Sequence, residues 1–474
     1  MQISESISNS YTTTPTHMPK HTNIEEIYDE AVDIEDKAER LGYDVKVVAR
    51  YEKALSLYAA VLESEQGSHY DALYNSARLR LEIGGGYKHP PDAFVYLQEA
   101  YRLFISAAEV AGRFNPPNQI GRFDALYNAI QSAVSVGELH ADLGADRDAA
   151  DAFSHCVDLL RGLVAEQKSF VGADGGGDAV AAAMDVGGGA SLSLSLPPYQ
   201  IVQNIKILVD VLLKLQDVVD VDDGTGTNTD HTLAHAQMAL NEALTLNNAV
   251  DEQFKETDTL LLLQAKIHLG ELQMQMQSQP QPQPQFQSQA QTIVAEFRHV
   301  LELRSGRRDS GAVEAHCELA EVLVEVAKSG VSGVSSWELL CEAQSLFKAA
   351  LEMEIALKSI GSIDPQSLAN QIKILMAVAG ASTLRALLVG SGNVNYTTLI
   401  NNSQVFLKRA VEITQPVQVK HPNWQVEDAK YEAMVRIIHE RIKYSGESID
   451  SQGHLLGLLA SHGVDLEVYK RRLD

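Results

Sequence analysis

Seven times along the 474-residue chain, a small or medium residue is followed four positions later by a large one. Three positions on, another small or medium residue follows. The triplets are Ala54/Tyr58/Val61, Ala93/Leu97/Ala100, Ala149/Phe153/Cys156, Ala236/Leu240/Ala243, Ile293/Phe297/Val300, Ala343/Phe347/Ala350 and Ser403/Leu407/Ala410. A spacing of four then three puts all three side chains on one stripe of a helix. The small members let a neighbouring helix approach, and the large one fills the gap. Each triplet follows another helical stretch, so the recurring unit is a pair of helices. Two literal echoes support this reading. Asp71-Ala-Leu-Tyr-Asn75 returns as Asp124-Ala-Leu-Tyr-Asn128, and Ile205-Lys-Ile-Leu208 returns as Ile372-Lys-Ile-Leu375.

The rest of the chain reads the same way. Ile24, Ile27, Tyr28, Ala31, Ile34, Ala38 and Leu41 recur at helical spacing. Asn23 with Glu26, and Ser335 with Glu338, are helix-start signals of the capping-box kind. Asp364-Pro365 marks another start, since proline fits the first helical turn. No period-2 run of useful length predicts a strand. The expected class is all-α: a solenoid of roughly seven to eight antiparallel helix pairs with disordered loop insertions. Residues 1–22 read as a disordered tail and 23–167 as helical repeats. A low-complexity Gly/Ala/Ser insertion spans 168–197, and repeats resume over 198–274. A Gln/Pro-rich loop covers 275–291, and 292–474 holds further repeats and C-terminal capping helices. A short Asp/Gly/Thr-rich loop is expected over 219–229. Glutamine/proline tracts of this kind are a compositional sign of a eukaryotic chain.

Charge narrows the partners. The chain carries 38 Lys+Arg against 63 Asp+Glu, a formal net charge of −25. Direct nucleic-acid binding needs clustered cations to displace counterions, and an anionic membrane surface needs them too. Neither fits this balance. Residues 1–22 hold no apolar run of the signal-peptide kind. The most apolar internal stretch, Ile374 to Leu384, is about half the length that a bilayer requires. Cys156, Cys317 and Cys341 are too few and too separated for a disulfide framework. Cytosol or nucleus is therefore the expected compartment, and the sequons at Asn395 and Asn401 are expected to stay unmodified.

The third helix pair carries a family resemblance. Ala133, Val136, Gly137 and His140 fall on one helix, Gly144 at the turn, and Ala149, Phe153 and Cys156 on the next. The pattern resembles the tetratricopeptide repeat (TPR), in which a glycine lies where the two helices cross closely. This sequence has Ala133 and His140 where that family usually has large aromatics, lacks the closing proline, and stretches the unit beyond the usual length. The resemblance covers about residues 24–413. It implies an α-solenoid that binds protein segments along a concave face.

Catalytic motifs are missing. The chain has no phosphate-binding GxxxxGK[ST], no GxSxG, no HExxH and no CxxC. His231 and His235 have the spacing that zinc would use on one helix face, but no third or fourth ligand can be assigned. His439-Glu440 is half of a metalloprotease motif. The expectation is a protein that is not an enzyme and needs no cofactor.

Two features point to a partner. Glu314, Glu318, Glu321 and Glu325 align four carboxylates on one face of a first helix, opposite an apolar face of Val313, Cys317, Ala320, Val324 and Ala327. That row is either ordinary solvated surface or a strip for a Lys/Arg-rich segment. The TPR resemblance implies that first-helix asparagines hold a peptide backbone, and Asn75 and Asn204 are the candidates, Asn75 if Gly84 marks its turn. The expected function is an adaptor for a basic partner segment, in its sharpest form an assembly chaperone for a basic client of the ribosomal-protein or histone type. The alternative is a scaffold subunit of a larger complex without such a client.

Overall fold

The computed structural model describes residues 23–41, 46–114, 117–173, 196–222, 229–248, 250, 255–278, 284–330, 335–357, 365–413 and 424–445, together with 452, 455, 456 and 459. Among these there are fifteen α-helices and no strand. They are α1 (Ile24–Glu39), α2 (Lys46–Ser64), α3 (Tyr70–Gly86), α4 (Asp92–Arg113), α5 (Gln119–Asp142), α6 (Asp146–Ala173), α7 (Pro198–Asp222) and α8 (Thr229–Asn247). There follow α9 (Thr257–Ser278), α10 (Pro284–Arg304), α11 (Ser310–Ser329), α12 (Ser336–Ala356), α13 (Pro365–Val389), α14 (Val394–Glu412) and α15 (Trp424–Ser445). Each helix packs on its neighbours in the chain, which makes seven antiparallel hairpins and a final helix laid against α13 and α14.

All seven triplets lie on the second helix of a hairpin, one each on α2, α4, α6, α8, α10, α12 and α14, and every member is at most 3% exposed. The size pattern therefore reports helix contact. A β-carbon on Gly137 would sit 2.6 Å from the Phe153 ring, and one on Gly84 would sit 3.0 Å from Leu97. In both cases a first-helix glycine gives room to the large middle member of the following triplet. Gly84 thus occupies the position of Gly137 inside α3, and the turn comes later, over residues 87–91. The turn at Gly144 has φ 68°, a conformation that glycine adopts without strain.

Helix starts follow the expected chemistry in part. The Asn23 side chain accepts from the Glu25 N–H, and α13 begins at Pro365. Ser335 caps α12 by position only, since its hydroxyl makes no capping bond. The Gln/Pro-rich segment departs from expectation. Most of it is helix, because α9 runs to Ser278 and α10 begins at Pro284. Phe286 and Ala290, four apart, are each 1% exposed and anchor that turn in the core. Glutamine is a good helix former, so two apolar anchors suffice. The residues expected to form the two other insertions fall largely outside the described residues. The same holds for the tail ending Lys470-Arg471-Arg472.

By length and composition α13 could cross a membrane, at mean hydropathy 1.7, which its shorter apolar stretch did not foreshadow. More than half of that apolar window is buried within the fold. It is the central helix of the C-terminal hairpins, contacting α12, α14 and α15.

The contacts that skip a helix join odd-numbered helices: lightly for α3 with α5, α5 with α7 and α7 with α9, and more extensively for α13 with α15. First helices meet one another at these four places. The first-helix side is the inner face, where residues of α7, α9, α11 and α13 line shared recesses.

Candidate functional site: the inner groove

The inner face of the C-terminal half encloses two recesses of about 700 and 800 Å³. Four charged residues line both: Asp210 on α7, Lys266 on α9, Glu321 on α11 and Lys373 on α13. Four successive first helices thus contribute charges that alternate in sign. Phe347 and Ala377 supply apolar floor to both recesses.

Helix α11 carries the row of four glutamates. It is fixed at its start by Asp309, whose carboxylate accepts from the Ala312 N–H at 2.9 Å, and it ends at Gly330 with φ 65°. Val313, Ala320 and Ala327 bury its apolar face, while Cys317 and Val324 remain part-exposed. The four carboxylates do not form a free acidic strip. Glu314 pairs with Arg304 at 3.0 Å, Glu318 with Lys266 at 2.6 Å, and Glu325 with Lys328 at 2.7 Å. Among the described residues, no cation lies within ion-pair distance of Glu321. Lys373 likewise has no carboxylate at that distance.

Glu321 is solvent-exposed at the rim of both recesses, with protein on several sides of it. Desolvation by that protein, reinforced by Glu318, raises its carboxyl to about 7; Lys266 opposes the shift and Glu325 adds to it. Cys317 lines the same recess, and burial with the neighbouring glutamates pushes its thiol up to about 12. It is a poor nucleophile there. Cys156 is fully buried in the third hairpin and its thiol is also raised to about 12.

Arg304 is the anchor of this region, and only 3% of it is exposed. It donates to Asp258 at 2.8 Å, to the Gly311 carbonyl at 2.7 Å and to Glu314 at 3.0 Å, tying α9, α10 and α11 together. Local spacing does not mark Arg304 or Lys266, because Glu314 and Glu318 come from the next hairpin, whereas Asp210 pairs with Lys214 one turn along α7 at 2.9 Å. The repeated Ile-Lys-Ile-Leu does carry a signal, since Lys206 and Lys373 both line the first recess.

Of the two candidate asparagines, Asn204 is turned into the core. The Asn204 amide donates to Gln167 at 2.8 Å, and the residue is 2% exposed. It ties α7 to α6 and does not face a ligand. Asn75 is half-buried and donates to the Tyr28 hydroxyl at 3.0 Å. His231 and His235 are both exposed. Among the described residues, no group of three or more His, Cys, Asp or Glu could hold a metal ion.

No protein-family model matches the sequence, and no curated protein matches it. Among solved structures, similarity extends to a circular tandem repeat protein with a novel repeat topology and enhanced subunit contact surfaces. That match has 14% identity and a TM-score of 0.30, over 95% of this chain and 98% of that one. Similarity also extends to yeast Tom70, at 10% identity and a TM-score of 0.17, over 94% of this chain and 96% of that one.

Proposed function

We propose that this protein is a non-enzymatic, protein-binding solenoid of the cytosol or nucleus, and that its inner groove holds an extended segment of a partner. A Lys or Arg of that segment meets Glu321. The observation that carries this reading is the groove position of Glu321: an exposed carboxylate with no ion-pair partner among the described residues, beside three carboxylates that are already paired. An incoming cation would offset the repulsion of Glu321 by Glu318 and Glu325. In its sharpest form the reading is an assembly chaperone that shields a basic client of the ribosomal-protein or histone type. The net charge of −25 supports that direction by steering basic partners in.

The test is fluorescence anisotropy with a short fluorescein-labelled Lys/Arg-rich peptide. Binding is expected to weaken as salt rises, and Glu321→Arg is expected to abolish it. Affinity that ignores both salt and the substitution would contradict the proposal.

A second reading, a permanent scaffold subunit, is favoured by the alternating, largely self-compensated charges of the groove. Size-exclusion of native extract separates the two. A scaffold subunit elutes only within a large assembly, whereas an escort also elutes alone or with one client.

A further inference from the structure

His89 and Glu427 stand near opposite ends of the chain, yet His89 Nε2 lies 3.3 Å from a Glu427 carboxylate oxygen. Their places in the stack give this contact its meaning. His89 belongs to the turn between α3 and α4, at the hairpin-tip edge. Glu427 belongs to the first turn of α15, at the opposite edge, where one hairpin passes to the next. In an open arc these edges face away from each other. They meet only where a superhelical stack completes a turn and brings its second hairpin against the helix that follows its seventh.

We propose that the His89–Glu427 contact is a clasp that closes the superhelix over its own inner groove and must release to admit a partner segment. This inference rests on the binding role assigned to the groove. Both side chains are part-exposed, at 48% and 34%. A surface pair of that kind is weak and readily exchanged for water, so the closure is reversible. The imidazole can donate from Nε2 whether it is charged or neutral with its proton there, so the clasp does not require a charged histidine. The neighbouring Lys88 is held by Glu52 at 3.2 Å within the same hairpins. His89 reaches across to α15.

The experiment uses the full chain with H89C and E427C introduced together on a Cys317→Ser, Cys341→Ser background, leaving the buried Cys156. A short bis-maleimide with a reducible spacer is added, and intramolecular links are identified by mass spectrometry against each single-cysteine control. The closed molecule is expected to link within one chain. Linked protein is expected to take up the fluorescein-labelled Lys/Arg-rich peptide about tenfold more slowly, as happens when binding requires opening first. Reducing the spacer is expected to restore the rate. Absence of an intramolecular link overturns the clasp, as does a linked protein that binds at the unlinked rate. If no form binds the peptide, the groove reading fails, while the link yield still decides whether the superhelix closes. A second variant, Glu427→Lys, is expected to enlarge the radius of gyration in small-angle scattering. An unchanged radius counts against the clasp.

Discussion

Asn128 donates its side-chain amide to the Tyr74 hydroxyl at 3.0 Å, and one hairpin earlier Asn75 donates to the Tyr28 hydroxyl at the same distance. In each pair a first helix reaches back to the first helix before it. The same offset separates Asp71 from Asp124, Asn75 from Asn128 and Gly84 from Gly137, so the second and third hairpins share one register. The echoed Asp-Ala-Leu-Tyr-Asn is therefore a joint between hairpins. Tyr74 accepts from Asn128, and Asn75 beside it donates to Tyr28.

Removing the joint tests its size. Asn75→Ala and Tyr28→Phe should each destabilise the fold, and the double mutant should fall short of their sum by about 0.5–1.5 kcal/mol. Urea unfolding of the four proteins measures that coupling. Additive losses would mean that the bond contributes nothing net.

The glycines give a paired prediction. A methyl at Gly137 meets the Phe153 ring at 2.6 Å, whereas nothing lies within 4 Å of the corresponding position at Gly162. Gly137→Ala should cost about 1–3 kcal/mol through overpacking. Gly162→Ala, within the exposed face of α6, should stabilise by about 0.5–1 kcal/mol through helix propensity. Opposite shifts in melting temperature are the expected result.

Arg304 is buried with Asp258 and Glu314 as its carboxylate partners. Arg304→Met leaves Asp258 without its main cation in a part-buried site, and the loss should reach about 3–5 kcal/mol. Thermal unfolding followed by circular dichroism measures it.

Glu321 gives stability a pH dependence of defined sign. Its carboxyl is raised to about 7 in the folded protein, chiefly by desolvation, against about 4.3 in an unfolded chain. The folded state then holds more protons between those values, so this group's contribution falls as pH rises through that window. Glu321→Gln should melt higher than the natural protein at pH 8, with the difference closing toward pH 4. A difference that does not change with pH would contradict the assignment.

Much of the architecture could be read before any coordinates. The triplets were legible because helix contact selects side-chain size at fixed local spacing, and Ala93, Leu97 and Ala100 are buried as that spacing requires. Gly137 was legible through the TPR resemblance, which implies a glycine where the two helices cross closely. The groove was less so. The alignment of Glu314, Glu318, Glu321 and Glu325 is a local property of α11, but Lys266 and Arg304, which neutralise two of them, arrive from other helices. Asn204 resembled a surface amide in sequence and is buried because Gln167 lies opposite it on α6. The glutamine-rich start of α10 looked like a loop by composition, and tertiary burial of Phe286 overrides that.

The central claim, that the inner groove binds a partner segment at Glu321, is tested most directly by affinity purification of the tagged natural protein and of Glu321→Arg from the same cells. Each is purified at low and at high salt, and the retained proteins are identified by mass spectrometry. The account predicts a dominant basic protein with the natural chain at low salt, lost at high salt and missing from the Glu321→Arg sample. An identical, salt-resistant set of partners from both proteins would contradict it.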